Sequence, residues 1–316
     1  MKRRLISWAS RLFARWNRQP RLTAVTFHRF GPESGITRDV IRHHISFLAQ
    51  HHTFVLPRDL ESVTPRGRLA MVTVDDCHRD TYDYLFEVAR ELKVPFMIAV
   101  PSDFFLRNQW LWFDKLYWMV GKVQARRSVQ AGGVQYVIEP RKAPKALKEF
   151  LKKLQPAARD AALDDLARQL GLSVPPEPVD GYESVTHEQM KEMLASGLVE
   201  ISVHTESHTI ASVLESAALD RELRDSKREL EQFAGMELPS FCYPNGIQGD
   251  FNADTTDAIR RAGFRVGITS VSGINSLPLD LFQLKRIHAH TVPSAFEKEA
   301  SGLAALQEPF RGGVPA

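Results

Sequence analysis

The feature that most constrains the fold is a set of short, mostly apolar runs that stop abruptly at ionisable or turn-forming residues. Residues 69–74 run straight into Asp75-Asp76, and residues 199–203 into His204-Thr205-Glu206-Ser207-His208. Runs this short and this sharply bounded read as buried strands. Further strands are expected at 22–27, ending in His28-Arg29, at 54–56 and at 95–100. Two more follow at 240–243, ending in Pro244-Asn245-Gly246, and at 266–270. Amphipathic helices are expected between them at 40–50, 82–92, 220–234 and 255–262. Thr186 and Gln189 make a capping-box pattern for another, which stops at Gly197. This alternation is that of βα units around a parallel sheet. A last strand over 283–290 would turn Leu284, Arg286, His288 and His290 to one side by its period of two.

Residues 103–181 break the rhythm. Aromatic residues crowd 104–118, the segment 145–170 is charged with Leu147, Phe150, Leu151 and Leu154 on one helical face, and 171–178 is Pro-rich. The stretch reads as a mostly helical insertion over one end of the fold. Trp110, Trp112, Tyr117 and Trp118 read first as a cap on the core and second as a platform on which sugar rings stack.

The start of the chain is basic. Residues 1–20 carry Lys2, Arg3, Arg4, Arg11, Arg15 and Arg18, and no acidic residue precedes Glu33. Leu5, Trp8, Ala9, Leu12, Phe13 and Trp16 recur at helical spacing, and Arg11 and Arg15 interrupt the apolar stretch that a secretory signal would need. The favoured reading is a basic amphipathic helix on an anionic membrane surface. The alternative is a helix docked on the protein's own surface. Residues 303–316 are expected to form a disordered tail, which leaves 21–302 as the folded body.

At 316 residues the chain suits one large α/β domain or two small ones. A net charge of +3 is too small to argue for nucleic acid. No uninterrupted apolar run reaches the roughly 18 residues of a bilayer-spanning helix. Cys77 and Cys242 are the only cysteines, so no disulfide framework exists and a reducing compartment is expected.

The two strand ends supply adjacent carboxylates and two imidazoles four residues apart. A divalent metal needs such ligands, and a carboxylate beside it can take the proton of an attacking water. Alone, an Asp-Asp pair is usually a cap or a solvated turn. The carboxylate pair and the imidazole pair together, both at strand ends, favour a metal site.

In these residues the chain resembles the polysaccharide deacetylases of the NodB-homology type, carbohydrate esterase family 4. Thr73-Val74-Asp75-Asp76-Cys77 resembles the family's first motif, Thr-Phe-Asp-Asp-Gly. His204-Thr205-Glu206-Ser207-His208 fits the shorter form of the second, and Cys242-Tyr243-Pro244-Asn245-Gly246 stands where Arg-x-Pro-Tyr-Gly would be. The resemblance runs from Leu22 to His290 and is weakest in the insertion. It implies a distorted (β/α)7 barrel with its site at the carboxyl ends of the strands. It also implies a metal-dependent hydrolase that removes acetyl groups, most often N-acetyl, from a polysaccharide or lipid-linked glycan.

Carried over by position, Asp76, His204 and His208 would hold the metal and Asp75 would be the general base. The Asn245 N–H, with Tyr243 beside it, would serve the oxyanion. His288 or His290 would be the acid, with His288 preferred. Such ligands suit zinc, and cobalt, nickel or manganese also fit. Two departures stand out. Cys77 replaces a Gly and tolerates a left-handed backbone less well, so a different turn after Asp76 is expected. Cys242 replaces the Arg that would pair with the catalytic Asp, and Arg286 is the expected substitute. His28-Arg29 resembles the family's usual start and has two readings, facing the cleft or an ordinary strand-end histidine. The expected partner is an acetylated glycan at the inner, cytoplasmic face of a bacterial membrane. Two other classes remain: a sugar-binding relative without turnover, suggested by Cys77 and Cys242, and a hydrolase of small amides or imides on the same fold.

Overall fold

The computed structural model describes residues 2–62 and 67–304. Seven strands follow one another in the chain: Arg21–Phe27, Arg68–Val74, Phe96–Val100, Val199–Val203, Ser240–Cys242, Val266–Ser272 and Leu284–His288. Each pairs in parallel with the next, and the seventh returns to the first, with Ala24 opposite Arg286 and Thr26 opposite His288. The ring is therefore a closed (β/α)7 barrel. It is distorted where the fourth and fifth strands share the single pair Val203–Phe241 and where the register slips between Leu284 and Arg286. Helices and core cover both faces of the first, third, fourth and fifth strands, which are buried at every residue and read as continuous runs rather than alternating ones. Two short strands, Thr53–Phe54 and Asn275–Ser276, extend the sheet beside the second and first.

The expected helices are present with shifted ends. The fourth-to-fifth connection starts earlier than its pattern indicated, at Ser216, and runs to Ala234 with Gly235 left-handed beyond it. Thr186 and Gln189 exchange the two hydrogen bonds of a capping box at 3.2 and 2.9 Å. The helix after the second strand opens as a π-helix, Thr81–Phe86, before continuing as Glu87–Leu92.

The insertion is less helical than expected. Trp112–Lys122, Lys145–Lys152 and Pro156–Leu170 are helices, the last two split by Pro156, but Arg127–Ala131 and Val134–Ile138 form an antiparallel hairpin. Gly132 and Gly133 turn it with φ of 56° and 76°, a conformation that costs glycine little. Leu116, Met119, Val129, Ile138, Leu147 and Leu163 give this region a small core of its own.

The first helix, Lys2–Trp16, docks on the barrel. Ser10 and Ala14 are buried, Arg11 pairs with the buried Glu297 at 2.8 Å, and Arg68 donates to the carbonyls of Ala14 and Asn17. The docked alternative thus describes one side of the helix; its other side keeps Leu5, Trp8, Leu12 and Trp16 exposed. Among the described residues no helix is long and apolar enough to cross a membrane. Beyond Ala304 the expected tail lies outside the described residues.

Candidate metal centre

The second strand ends at Val74, and the chain turns at once. Asp76 and Cys77 take φ of 72° and 50°, so the two neighbouring carboxylates no longer face opposite ways as they would in a strand. Cys77 thus takes a left-handed conformation that glycine reaches more readily. Three more non-glycine residues around the site have positive φ: Thr205, His208 and Asn245, at 60°, 54° and 59°. Such strain persists only where the surroundings enforce it. Here they do. The Glu222 carboxylate accepts from Glu206 N at 3.0 Å and Ser207 Oγ at 3.2 Å, and Ser102 and Asp103 donate to the carbonyls of Thr205 and Glu206.

These turns converge three buried ligand atoms. Asp76 Oδ1 lies 3.5 Å from His204 Nε2 and 3.1 Å from His208 Nε2, and all three residues are buried. His204 Nδ1 lies 2.6 Å from the carbonyl of Cys242. A carbonyl can only accept, so Nδ1 carries the proton and Nε2 presents its lone pair to the cluster. Among the described residues, Asp76 Oδ1 and His204 Nε2 have no hydrogen-bond partner. Orphaned acceptors at such depth are costly unless a cation meets them. The donor set fits a divalent ion.

Asp75 sits beside this cluster but is committed differently. Arg286 grips it with two hydrogen bonds, Nη1 to Oδ1 and Nη2 to Oδ2, each 2.7 Å. The remaining guanidinium hydrogens go to Thr269 O, Thr73 Oγ1 and Ser270 Oγ, so all five donors are used inside the barrel. Burial by itself would raise the Asp75 carboxyl, but the guanidinium, then His28, hold it well below the ordinary carboxylate range. Burial likewise opposes ionisation of Asp76, and His208 and His204 overcome it. A second grouping, Asp75 with His204 and Cys242, has its ligand atoms equally close. It is the poorer metal site, because Arg286 already takes both Asp75 oxygens and burial raises the Cys242 thiol, keeping it protonated.

A cavity of about 260 Å³ opens above these residues. His28, Asp75, Asp76, His204, His208 and Asn245 form its floor, and Phe113, Trp112, Tyr117, Lys148 and Lys152 from the insertion form one wall. The aromatic cluster is thus divided: Trp112 and Tyr117 face the cavity, whereas Trp110 and Trp118 pack on each other. His28 takes the cleft-facing reading, with Nε2 at 3.4 Å from Asp75 Oδ2. Asn245 lines the cavity while its side chain donates to Asp250.

Three expectations need correction. Tyr243 belongs to the core: its ring packs on Phe241 and Phe251, and its hydroxyl lies 3.3 Å from both Thr256 Oγ1 and the Phe282 carbonyl. His290 faces away, 2.6 Å from Glu299 Oε2 on the last helix. The physical reason is that the seventh strand ends at His288, so the period-two alternation stops before reaching it. His288 stays near the site, on the strand tip beside Thr26, but is not among the residues lining the cavity. Burial lowers its imidazole, as do the neighbouring His28 and Arg286. Sequence spacing gave no signal for Phe113, Lys148, Lys152 or Ile210 at the cavity, since tertiary docking of the insertion brings them there.

A closed seven-stranded parallel barrel with an Asp-His-His cluster at the carboxyl ends of its strands defines the class. The sequence model described as polysaccharide deacetylase matches residues 164–267. YxkH of Bacillus subtilis (strain 168), whose given name assigns it to the same family, is 29% identical over 103 residues, 33% of this chain and 36% of its own length. The matched segment thus spans little more than a third of that relative. Among solved structures, IcaB from Ammonifex degensii superposes with a TM-score of 0.57 at 18% identity, covering 89% of this chain and 97% of its own. The Streptococcus pyogenes deacetylase PplD, in complex with acetate, gives 0.55 at 16% identity, covering 85% and 93%. At such identities these two show the shared fold. Over residues 164–267 the chain is thus similar to polysaccharide deacetylases, and over most of its length it shares their barrel fold.

Proposed function

We propose that the protein is a metal-dependent hydrolase that removes acetyl groups, N-acetyl before O-acetyl, from an acetylated glycan. The observation that carries this reading is the convergence of Asp76 Oδ1, His204 Nε2 and His208 Nε2 beside a carboxylate, Asp75, that Arg286 holds ionised. Asp76, His204 and His208 would hold a divalent cation, zinc by donor type, with cobalt, nickel and manganese also compatible. Such an ion, when bound, polarises the acyl oxygen and lowers the pKa of water toward neutrality. Asp75 accepts the proton of the attacking water as that water adds to the acetyl carbonyl. The Asn245 backbone N–H, in the cavity floor, donates to the developing oxyanion. As the C–N bond breaks, the amine leaves with a proton from His28, the imidazole that lines the cavity; His288 on the adjoining strand tip is the second candidate.

The aromatic wall of Trp112, Phe113 and Tyr117 suits the apolar faces of a pyranose ring and supports a glycan over a small amide. The same reading places the protein at the inner surface of a membrane, contacted through residues 1–20. Acetate release from a panel of acetylated amino-sugar oligomers, with and without chelator, tests the assignment. Chelator-sensitive release supports it. Metal binding without release would point to a sugar-binding relative, and small-amide turnover without sugar turnover to the third class.

A further inference from the structure

The barrel's amino-terminal end carries a cleft that the acetyl-removing site does not use. Its volume is about 500 Å³, and Arg15, Arg18, Gln50, His51, Gly67 and Arg68 line it, with no acidic side chain among these described residues. Burial and then Arg18 push the Arg68 guanidinium down, and burial and then Arg68 bring Arg21 to about 10. Desolvation is the larger cause of both shifts and a neighbouring guanidinium the second, and an anion in the cleft would offset both.

Beside this cleft runs the outward side of the Lys2–Trp16 helix. Leu5, Trp8, Leu12 and Trp16 are 58%, 65%, 48% and 86% exposed, and they fall within an arc of about 80° on a helix of 3.6 residues per turn. Half of the large exposed apolar side chains of the described residues lie on this one stripe. The stripe cannot turn inward. Arg68 bonds the carbonyls of Ala14 and Asn17, and Arg11 bonds Glu297, so the opposite side is fixed to the barrel. Two of the cleft arginines, Arg15 and Arg18, flank Trp16 in the chain.

We infer that the cleft and the stripe form one docking surface for an anionic bilayer, with lipid phosphates entering between Arg15, Arg18 and Arg68 while Trp8, Leu12 and Trp16 enter the interface. This deepens the membrane contact proposed above and is independent of the chemistry at Asp75 and Asp76. The charge favours an anionic leaflet over a neutral one, and exposed tryptophans with an adjacent cation are the composition of an interfacial anchor. The fixed orientation makes the whole barrel, rather than a loose tail, the docked body.

Flotation of the full chain with phosphatidylcholine vesicles, and with vesicles containing phosphatidylglycerol, tests it. Binding is expected to the anionic vesicles and to fall with salt. Arg15→Gln with Arg18→Gln should weaken partitioning about thirtyfold, from the attraction per surface arginine. Trp8→Ser with Trp16→Ser should also release the protein. Both double variants should keep wild-type acetate release from a soluble oligomer, because neither pair touches the cavity. Failure to bind either vesicle overturns the membrane contact as a whole. Equal binding to neutral and anionic vesicles, or binding unchanged by the arginine pair, overturns the cleft alone. Displacement by millimolar inorganic phosphate at constant ionic strength would show a site for a soluble anion and also overturn it.

Discussion

Arg286→Ala is the substitution with the widest consequences. Arg286 is fully buried, and its five donors are shared among Asp75, Thr73, Thr269 and Ser270. Removing one member of a buried ion pair leaves the other charge uncompensated, at a cost of about 3–5 kcal/mol in folding stability. The Asp75 carboxyl, no longer held down by the guanidinium, rises, so the acid limb of the kcat/KM profile should move to higher pH. Loss of positioning should cost at least about a hundredfold in kcat/KM even above that limb. The structure also indicates a rescue. Cys242 Sγ lies 3.6 Å from Asp75 Oδ1, on a different strand from Arg286. Cys242→Arg in the Arg286→Ala background should therefore return the acid limb toward its original pH and recover part of the lost rate. Urea unfolding and acetate release as a function of pH measure these effects. Arg286→Ala with stability within about 0.5 kcal/mol of wild type and an unmoved acid limb would refute the reasoning.

Other predictions concern groups around the barrel. Glu200 is buried, and burial raises its carboxyl to about 7 despite Arg58 at 3.6 Å. A carboxyl raised in the folded state stabilises fully below its unfolded value near 4.5, and the contribution is lost as pH climbs toward 7. Glu200→Gln should therefore match wild type near pH 4.5 and exceed it at pH 8 by about 3 kcal/mol, read from paired urea titrations; a constant difference across that range would contradict the assignment. His28→Ala should lower kcat/KM for an N-acetylated oligomer by about 10²–10³-fold, whereas His288→Ala should cost less than about tenfold. The reverse pattern would move the proton donor to His288.

Much of the barrel is legible in the sequence because most of its strands are covered on both faces, so those appear as apolar runs with polar stops. The residues at those stops, Asp75, Asp76 and His204, are the ones the fold brings together. The pairing of Arg286 with Asp75 is legible too, through the period-two alternation of the last strand. The same argument fails one step further on, at His290, because alternation holds only while the strand lasts. Tyr243 is misplaced for a related reason: the turn after Cys242 sends the Asn245 backbone to the cavity and the tyrosine ring to the core. Left-handed turns at Asp76, Cys77 and Asn245 leave no composition signal, since none is glycine. The hairpin at Arg127–Ala131 and Val134–Ile138 is short and half exposed, and it escapes a reading tuned to helical charge patterns. The first helix docks through one side, as one of its two readings expected, while its other side keeps Leu5, Trp8, Leu12 and Trp16 exposed.

The central claim is that Asp76, His204 and His208 together hold one cation on which acetyl removal depends. Zinc titrated into chelator-stripped protein, with acetate release from an N-acetylated oligomer followed at each addition, tests it directly. The account predicts no release at the start, a linear rise, and a plateau at one equivalent, with His204→Ala flat throughout. Release that is undiminished by stripping, or that persists in His204→Ala, would contradict it.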